Sequence, residues 1–255
     1  MRITRAVVPS LFTVLNIFCG FLSVVHTSHA DFILASWFII LAGVFDTLDG
    51  VMARITKSSS DFGIEFDSLS DVVSFGLAPS FLVYSIGLNS QETLGMLISS
   101  MPMIFGALRL ARFNVQLVGY DKDFFKGLPI PAVAITIASF VLTYYQPIGG
   151  LRPLQASVLP PMVAVLSLLM VSSIKYDTVP KFSRRGIKQH PLRFTVGVIG
   201  LSAIVFTRGE ALFPFFAFYV ATGPLRYIVQ FIQHALHPKD KASEEEESEI
   251  TSVDV

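Results

Sequence analysis

Asp46 and Asp49 stand three residues apart at the end of an apolar run, FILASWFIILAGVF, and Asp67 and Asp71 stand four apart at the head of the next one. On a helix, Asp46, Asp49, Gly50 and Ala53 follow the i, i+3, i+4, i+7 spacing of one face, and Asp67 and Asp71 share a face of their own. Two such helices, joined antiparallel by the roughly dozen residues from Ile55 to Phe66, bring both acidic faces to one depth. Carboxylates gathered there repel one another, and each costs roughly 2.5–3.5 kcal/mol inside a membrane even on a lenient insertion scale. Arg54 offers one positive charge against four negative ones. Two divalent cations would balance the set, and oxygen-only donors favour magnesium, manganese or calcium over zinc. Gly50 and Gly63 have no side chain to obstruct a ligand or a neighbouring helix, and Ala53 adds little bulk. A lone intramembrane aspartate serves as readily as a helix cap or an ion-pair partner, but four on two facing helices point to ion binding. A transporter places its carboxylates near the bilayer midplane on broken helices. These lie near one boundary, which favours catalysis over cation transport.

The elements that must position these groups are membrane spans. Mean hydropathy is +0.62, only 15% of the 255 residues are charged, and 23 are phenylalanine, against about 25% charged residues in an ordinary soluble domain. A span takes about 20 apolar residues. Eight segments qualify, at 7–26, 32–53, 67–88, 93–112, 129–146, 156–174, 192–207 and 211–233, giving an all-α polytopic membrane protein whose single catalytic domain covers 1–237. The first run, from Ala6 to Val25, is too long for the h-region of a signal peptide and suits a span. Lysines and arginines divide seventeen to two between alternate connections, with Arg152 and Arg208 alone on the minority side. Basic residues resist translocation, so both termini are expected in the cytoplasm, the acidic cluster on the cytoplasmic side, and the whole chain in the inner membrane. After Pro238 the tail KDKASEEEESEITSVDV is polar and free of aromatics, and 238–255 is expected to be disordered. Net charge is +0, which gives nucleic acid no attractive field. The single cysteine, Cys19, allows neither a disulfide nor a thiolate metal cluster within the chain.

The pattern Asp46-x2-Asp49-Gly50-x2-Ala53-Arg54-x8-Gly63-x3-Asp67-x3-Asp71 resembles the complete signature of the CDP-alcohol phosphatidyltransferases, all eight positions and every gap agreeing. The resemblance covers roughly residues 9 to 132. The segments DVVSFGLAP from Asp71, ALRLARFN from Ala107 and FFKGLPIP from Phe124 are similar to blocks of the membrane-embedded bacterial and archaeal phosphatidylserine synthases. Pro9, Thr13 and Asn16 match that group's N-terminal pattern, with Ser10 standing where asparagine is usual. The resemblance implies transfer of a phosphatidyl group from CDP-diacylglycerol to an alcohol, with release of CMP, and it implies a homodimer with a six-helix core followed by about two further helices. It implies that Asp46, Asp49, Asp67 and Asp71 hold two divalent ions, Mg2+ or Mn2+. Asp71 would also be the base for the incoming hydroxyl, and Asp49, Gly50, Ala53, Arg54 and Gly63 would line the CDP site.

L-serine is the expected acceptor, with glycerol 3-phosphate or an inositol phosphate as alternatives that would demand further basic residues. Arg109 and Arg112, i and i+3 at the end of the fourth span, can reach a phosphate or the serine carboxylate, and otherwise serve as positive anchors. Asn114 and Lys126 belong to the same blocks. Asn16, Ser70 and Ser74 could line the acceptor pocket or pack between helices. Lys181, Arg184, Arg185 and Lys188 suit topology or anionic lipid better than catalysis, and the five histidines lie away from the acids.

Overall fold

A computed structural model describes residues 7–56, 60–116, 125–176 and 211–236. The expected seventh span, the basic cluster at 181–188 and the acidic tail lie outside these residues. In chain order the helices are α1 (Val7–Ser28), α2 (Phe32–Thr56), α3 (Asp61–Asp71), α4 (Ala78–Val83), α5 (Glu92–Gln116), α6 (Ile130–Tyr144), α7 (Pro153–Val171) and α8 (Leu212–Leu236). A π segment, Val72–Leu77, joins α3 to α4, and a second, Tyr84–Leu88, extends α4, so that 61–88 runs as one helical rod. Among the described residues, five stretches are long and apolar enough to cross a membrane, and one of them, Asp61–Val115, folds back on itself where Glu92 adopts φ 44°. The protein is an integral membrane protein of the all-α class.

α1 packs along α2, the 72–88 rod crosses α1 and lies against α5, α7 packs on α5, and α8 lies on α6. At the centre stands α6, whose sequence IPAVAITIASFVLTY is apolar on every face, so that Ile130, Val133, Ile137 and Val141 are wholly buried. Outward-facing Phe18, Phe21, Trp37, Leu97, Ile104 and Phe218 form the lipid-facing surface. Small residues permit the close crossings: a Cβ on Gly20 would meet Ser74, and one on Gly76 would lie 3.3 Å from the Met103 Cα. Pro102 interrupts the α5 ladder, and Ser80 Oγ accepts the neighbouring Met103 N–H at 3.2 Å from across the interface.

The third rod starts six residues before its expected beginning at 67, and the connection expected from Ile55 to Phe66 shrinks to residues 57–60. Ser60 caps the added turns, its Oγ accepting the Gly63 N–H at 3.1 Å. The segment DFGIEFDSLSD is too polar to count as a span, yet it is helical.

Two short strands, β1 (Phe125–Lys126) and β2 (Lys175–Tyr176), pair antiparallel and tie the segment before α6 to the segment after α7. Gly127 follows with φ +82°, and a Cβ there would collide with the Met170 carbonyl, while its N–H donates to Ile174 O at 2.8 Å.

Candidate active site

The three carboxylates of Asp46, Asp67 and Asp71 each offer an oxygen within 4.8 Å of the others. Asp46 comes from the last turns of α2 and Asp67 and Asp71 from successive turns of α3, and both helices pack against α1. Asp71 is the last residue before the Val72–Leu77 π segment, the wide turn that recurs at functional sites.

Asp49 stands outside this trio but within electrostatic range of Asp46 and Asp67. Its Oδ2 accepts the Thr13 hydroxyl from α1. Asn16, one turn along α1, donates from Nδ2 to Asp71 Oδ1 at 3.3 Å. One helix therefore steadies a carboxylate of α2 and a carboxylate of α3. Thr13 escaped the sequence reading as a site residue because a threonine in an apolar helix usually bonds its own backbone, as Thr47 does to Gly43 O at 2.8 Å.

Ser70 and Ser74 are both fully buried, and both donate to α1 carbonyls, Ser70 to Thr13 O at 3.2 Å and Ser74 to Asn16 O at 2.9 Å. These bonds lock the rod containing Asp71 onto the helix that carries Thr13 and Asn16. Of the two roles open to the serines, the structure displays the packing one.

Arg109 lies on α5 within electrostatic range of Asp71. Arg112, one turn on, is exposed. Asn114 faces α3, where its Nδ2 donates to Ser68 Oγ at 3.0 Å and to Glu65 Oε2 at 3.3 Å. Arg54 belongs to the last turn of α2, and Lys126 holds its place in β1 opposite Lys175. His26 pairs with Asp31 at 3.5 Å at the far end of α1 from the carboxylates.

The donors present fit a divalent cation. Asn16 Oδ1, Asp49 Oδ1 and Asp67 Oδ1 are buried oxygens with no hydrogen-bond partner among the described residues, an arrangement that is costly unless a positive charge faces them. All are hard oxygen ligands of the kind magnesium and manganese take. Nothing from other described elements crowds the glycines nearby: apart from the local helix, no described atom lies within 4 Å of where a Cβ on Gly50 would be, and a Cβ on Gly63 would meet Ser60 Oγ at 3.2 Å.

The family model for CDP-alcohol phosphatidyltransferase matches residues 6–172, about two thirds of the chain and all the helices that carry these groups. The chain belongs to the CDP-alcohol phosphatidyltransferase family. Relatives within and beyond that stretch include the CDP-diacylglycerol--serine O-phosphatidyltransferase of Helicobacter pylori strain ATCC 700392 / 26695, 38% identical over 229 residues that cover 88% of this chain and 92% of that protein. The archaetidylserine synthase of Methanothermobacter thermautotrophicus is 42% identical over 173 residues, 67% of this chain and 70% of its own. The CDP-diacylglycerol--serine O-phosphatidyltransferase of Bacillus subtilis strain 168 is 33% identical over 185 residues, 71% of this chain and 96% of its own. A CDP-alcohol phosphatidyltransferase is a transferase of lipid synthesis, and the helices that bring Asp46, Asp67 and Asp71 together lie within the matched residues.

Proposed function

We propose that this enzyme transfers the phosphatidyl group of CDP-diacylglycerol to the hydroxyl of L-serine, releasing CMP, at the carboxylate cluster between α2 and α3. The observation that carries the reading is the convergence of Asp46, Asp67 and Asp71 beside the open space at Gly50, and the serine-specific names of relatives that align over most of the chain support the acceptor. Two divalent cations, held by Asp46, Asp49, Asp67 and Asp71, would supply charge neutralisation at the pyrophosphate and at the departing CMP oxygen.

The protein's own contribution is positioning and proton transfer. The serine oxygen attacks the phosphatidyl phosphorus, the bond from that phosphorus to the oxygen bridging it to CMP breaks, and CMP leaves with the bridging oxygen and its electron pair. Asp71 takes the hydroxyl proton as the new bond forms, a role worth roughly 10²–10⁴-fold. Asn16 holds Asp71 through Oδ1, which leaves the other carboxylate oxygen for the substrate. Thr13 fixes Asp49 in the same way. Gly50, Ala53, Arg54 and Gly63 line the cytidine diphosphate, and Arg109, with Arg112, Asn114 and Lys126 nearby in sequence, meets the serine carboxylate. The site opens to the cytoplasm, both termini lie there, and the enzyme works as a homodimer.

The deciding experiment uses purified full-length protein, CDP-diacylglycerol and a panel of serine, glycerol 3-phosphate and inositol 1-phosphate. CMP release is expected with serine alone, to vanish in EDTA and to return with Mg2+ or Mn2+. Equal release without serine overturns the acceptor, and full activity in EDTA overturns the cation site.

A further inference from the structure

α3 is a polar helix with little apolar packing to hold it in one rotation. It packs on α1 and on the π segment that follows it, while Phe62 and Leu69, on the side opposite Asp67 and Asp71, are exposed. At about 100° per residue, Ser70 lies about 80° to one side of the midline between Asp67 and Asp71, and Ser68 about 80° to the other. The first flank is tied to α1, where Ser70 Oγ donates to Thr13 O at 3.2 Å. The second is tied to α5. Asn114 Nδ2 donates to Ser68 Oγ at 3.0 Å and to Glu65 Oε2 at 3.3 Å, so both amide hydrogens are used, and Glu65 stands one turn before Ser68 on the same flank. α5 packs on the rod along 72–88, and Asn114, in its last turn, extends that contact to α3 itself. The two carboxylates project between the anchored flanks.

We propose that Asn114 is a positioning residue for the cation site: by holding Ser68 and Glu65 it fixes the roll of α3, and with it the direction in which Asp67 and Asp71 present their oxygens beside Asp46. A roll of about 20° displaces an oxygen roughly 5 Å from the helix axis by about 1.7 Å. Magnesium takes its ligands at about 2.0–2.1 Å in near-ideal octahedral geometry, so a shift of that size takes a ligand out of the set. The inference rests on the cation reading above, and it gives Asn114 a part in holding the carboxylates instead of meeting the acceptor.

The test measures Mn2+ binding to metal-free, full-length enzyme from the paramagnetic resonance signal of the free ion, without turnover, beside KM for serine at saturating Mn2+. Asn114→Ala is expected to weaken Mn2+ binding roughly tenfold, the lower end of what a residue supporting a metal ligand contributes. KM for serine should not change once the cation site is filled. Ser68→Ala keeps the Glu65 bond and should weaken binding roughly threefold, the scale of one net hydrogen bond. Added to Asn114→Ala, it should have no further effect. Unchanged Mn2+ binding in Asn114→Ala, beside a parent that binds the ion, overturns the role of Asn114 alone; where that variant does not fold, unchanged binding in Ser68→Ala does so. A raised KM for serine with Mn2+ binding intact overturns it in favour of a contact with the acceptor. A parent that binds no Mn2+ overturns the cation site and this role with it.

Discussion

Asp71→Asn keeps the shape of the side chain and removes its basicity, so transfer should fall by at least 10²-fold while CDP-diacylglycerol binding stays near the parent value, as read by turnover beside a direct binding measurement. Thr13→Val tests the support beneath: it deletes the hydrogen bond to Asp49 without reaching substrate. Partners that orient a ligand typically matter by roughly 10–100-fold in metal affinity, so the Mg2+ concentration for half-maximal activity should rise by that factor, with the maximal rate recovered at saturation. Gly50→Ala separates folding from binding. Apart from the local helix, no described atom lies within 4 Å of the added Cβ and alanine favours helix by roughly 1 kcal/mol over glycine, so thermal stability should hold or rise while CDP-diacylglycerol affinity falls. At this scale the carboxylates were legible because aspartate in an apolar run is expensive and therefore informative. Asn16 was legible as a candidate for the acceptor pocket, but not as the partner of Asp71.

A boundary was legible where hydropathy changes sharply: α2 begins at Phe32, against an expected start at 32. One was lost where a helix continues into polar sequence, as in Asp61–Asp71, where the Ser60 cap decides the start. The π segments had no signature, because an extra residue in a turn changes the register without changing composition. The reversal between the 61–88 rod and α5 places the non-glycine Glu92 at φ 44°, a conformation that L side chains adopt only under strain. Glu92→Gly should relieve roughly 1 kcal/mol of it, read as a rise of a few degrees in the thermal midpoint with activity unaltered.

For the whole molecule, the family, the class and the membrane setting were legible from composition and one signature, whereas the order of packing was not, since lipid-facing and helix-facing sides of such sequences are both apolar. Reporter fusions at the two ends should both be fluorescent in the cytoplasm, and light scattering in detergent should give the mass of two chains. The central helix adds something about access. Gly43 of α2 faces Ile135 of α6. From that crossing α2 runs on to Thr56, about 20 Å at 1.5 Å per residue, while α6 extends only back to Ile130, about 8 Å. The α6 helix therefore ends about 12 Å before α2 does, level with the stretch from Asp46 to Asp49. On the proposed function, water and a small amino acid would approach the carboxylates from this end of the protein, with the acyl chains alongside in the leaflet. A membrane-impermeant thiol reagent should accordingly label a cysteine placed at Ala53 from one face of the bilayer only, and bound CDP-diacylglycerol should protect it.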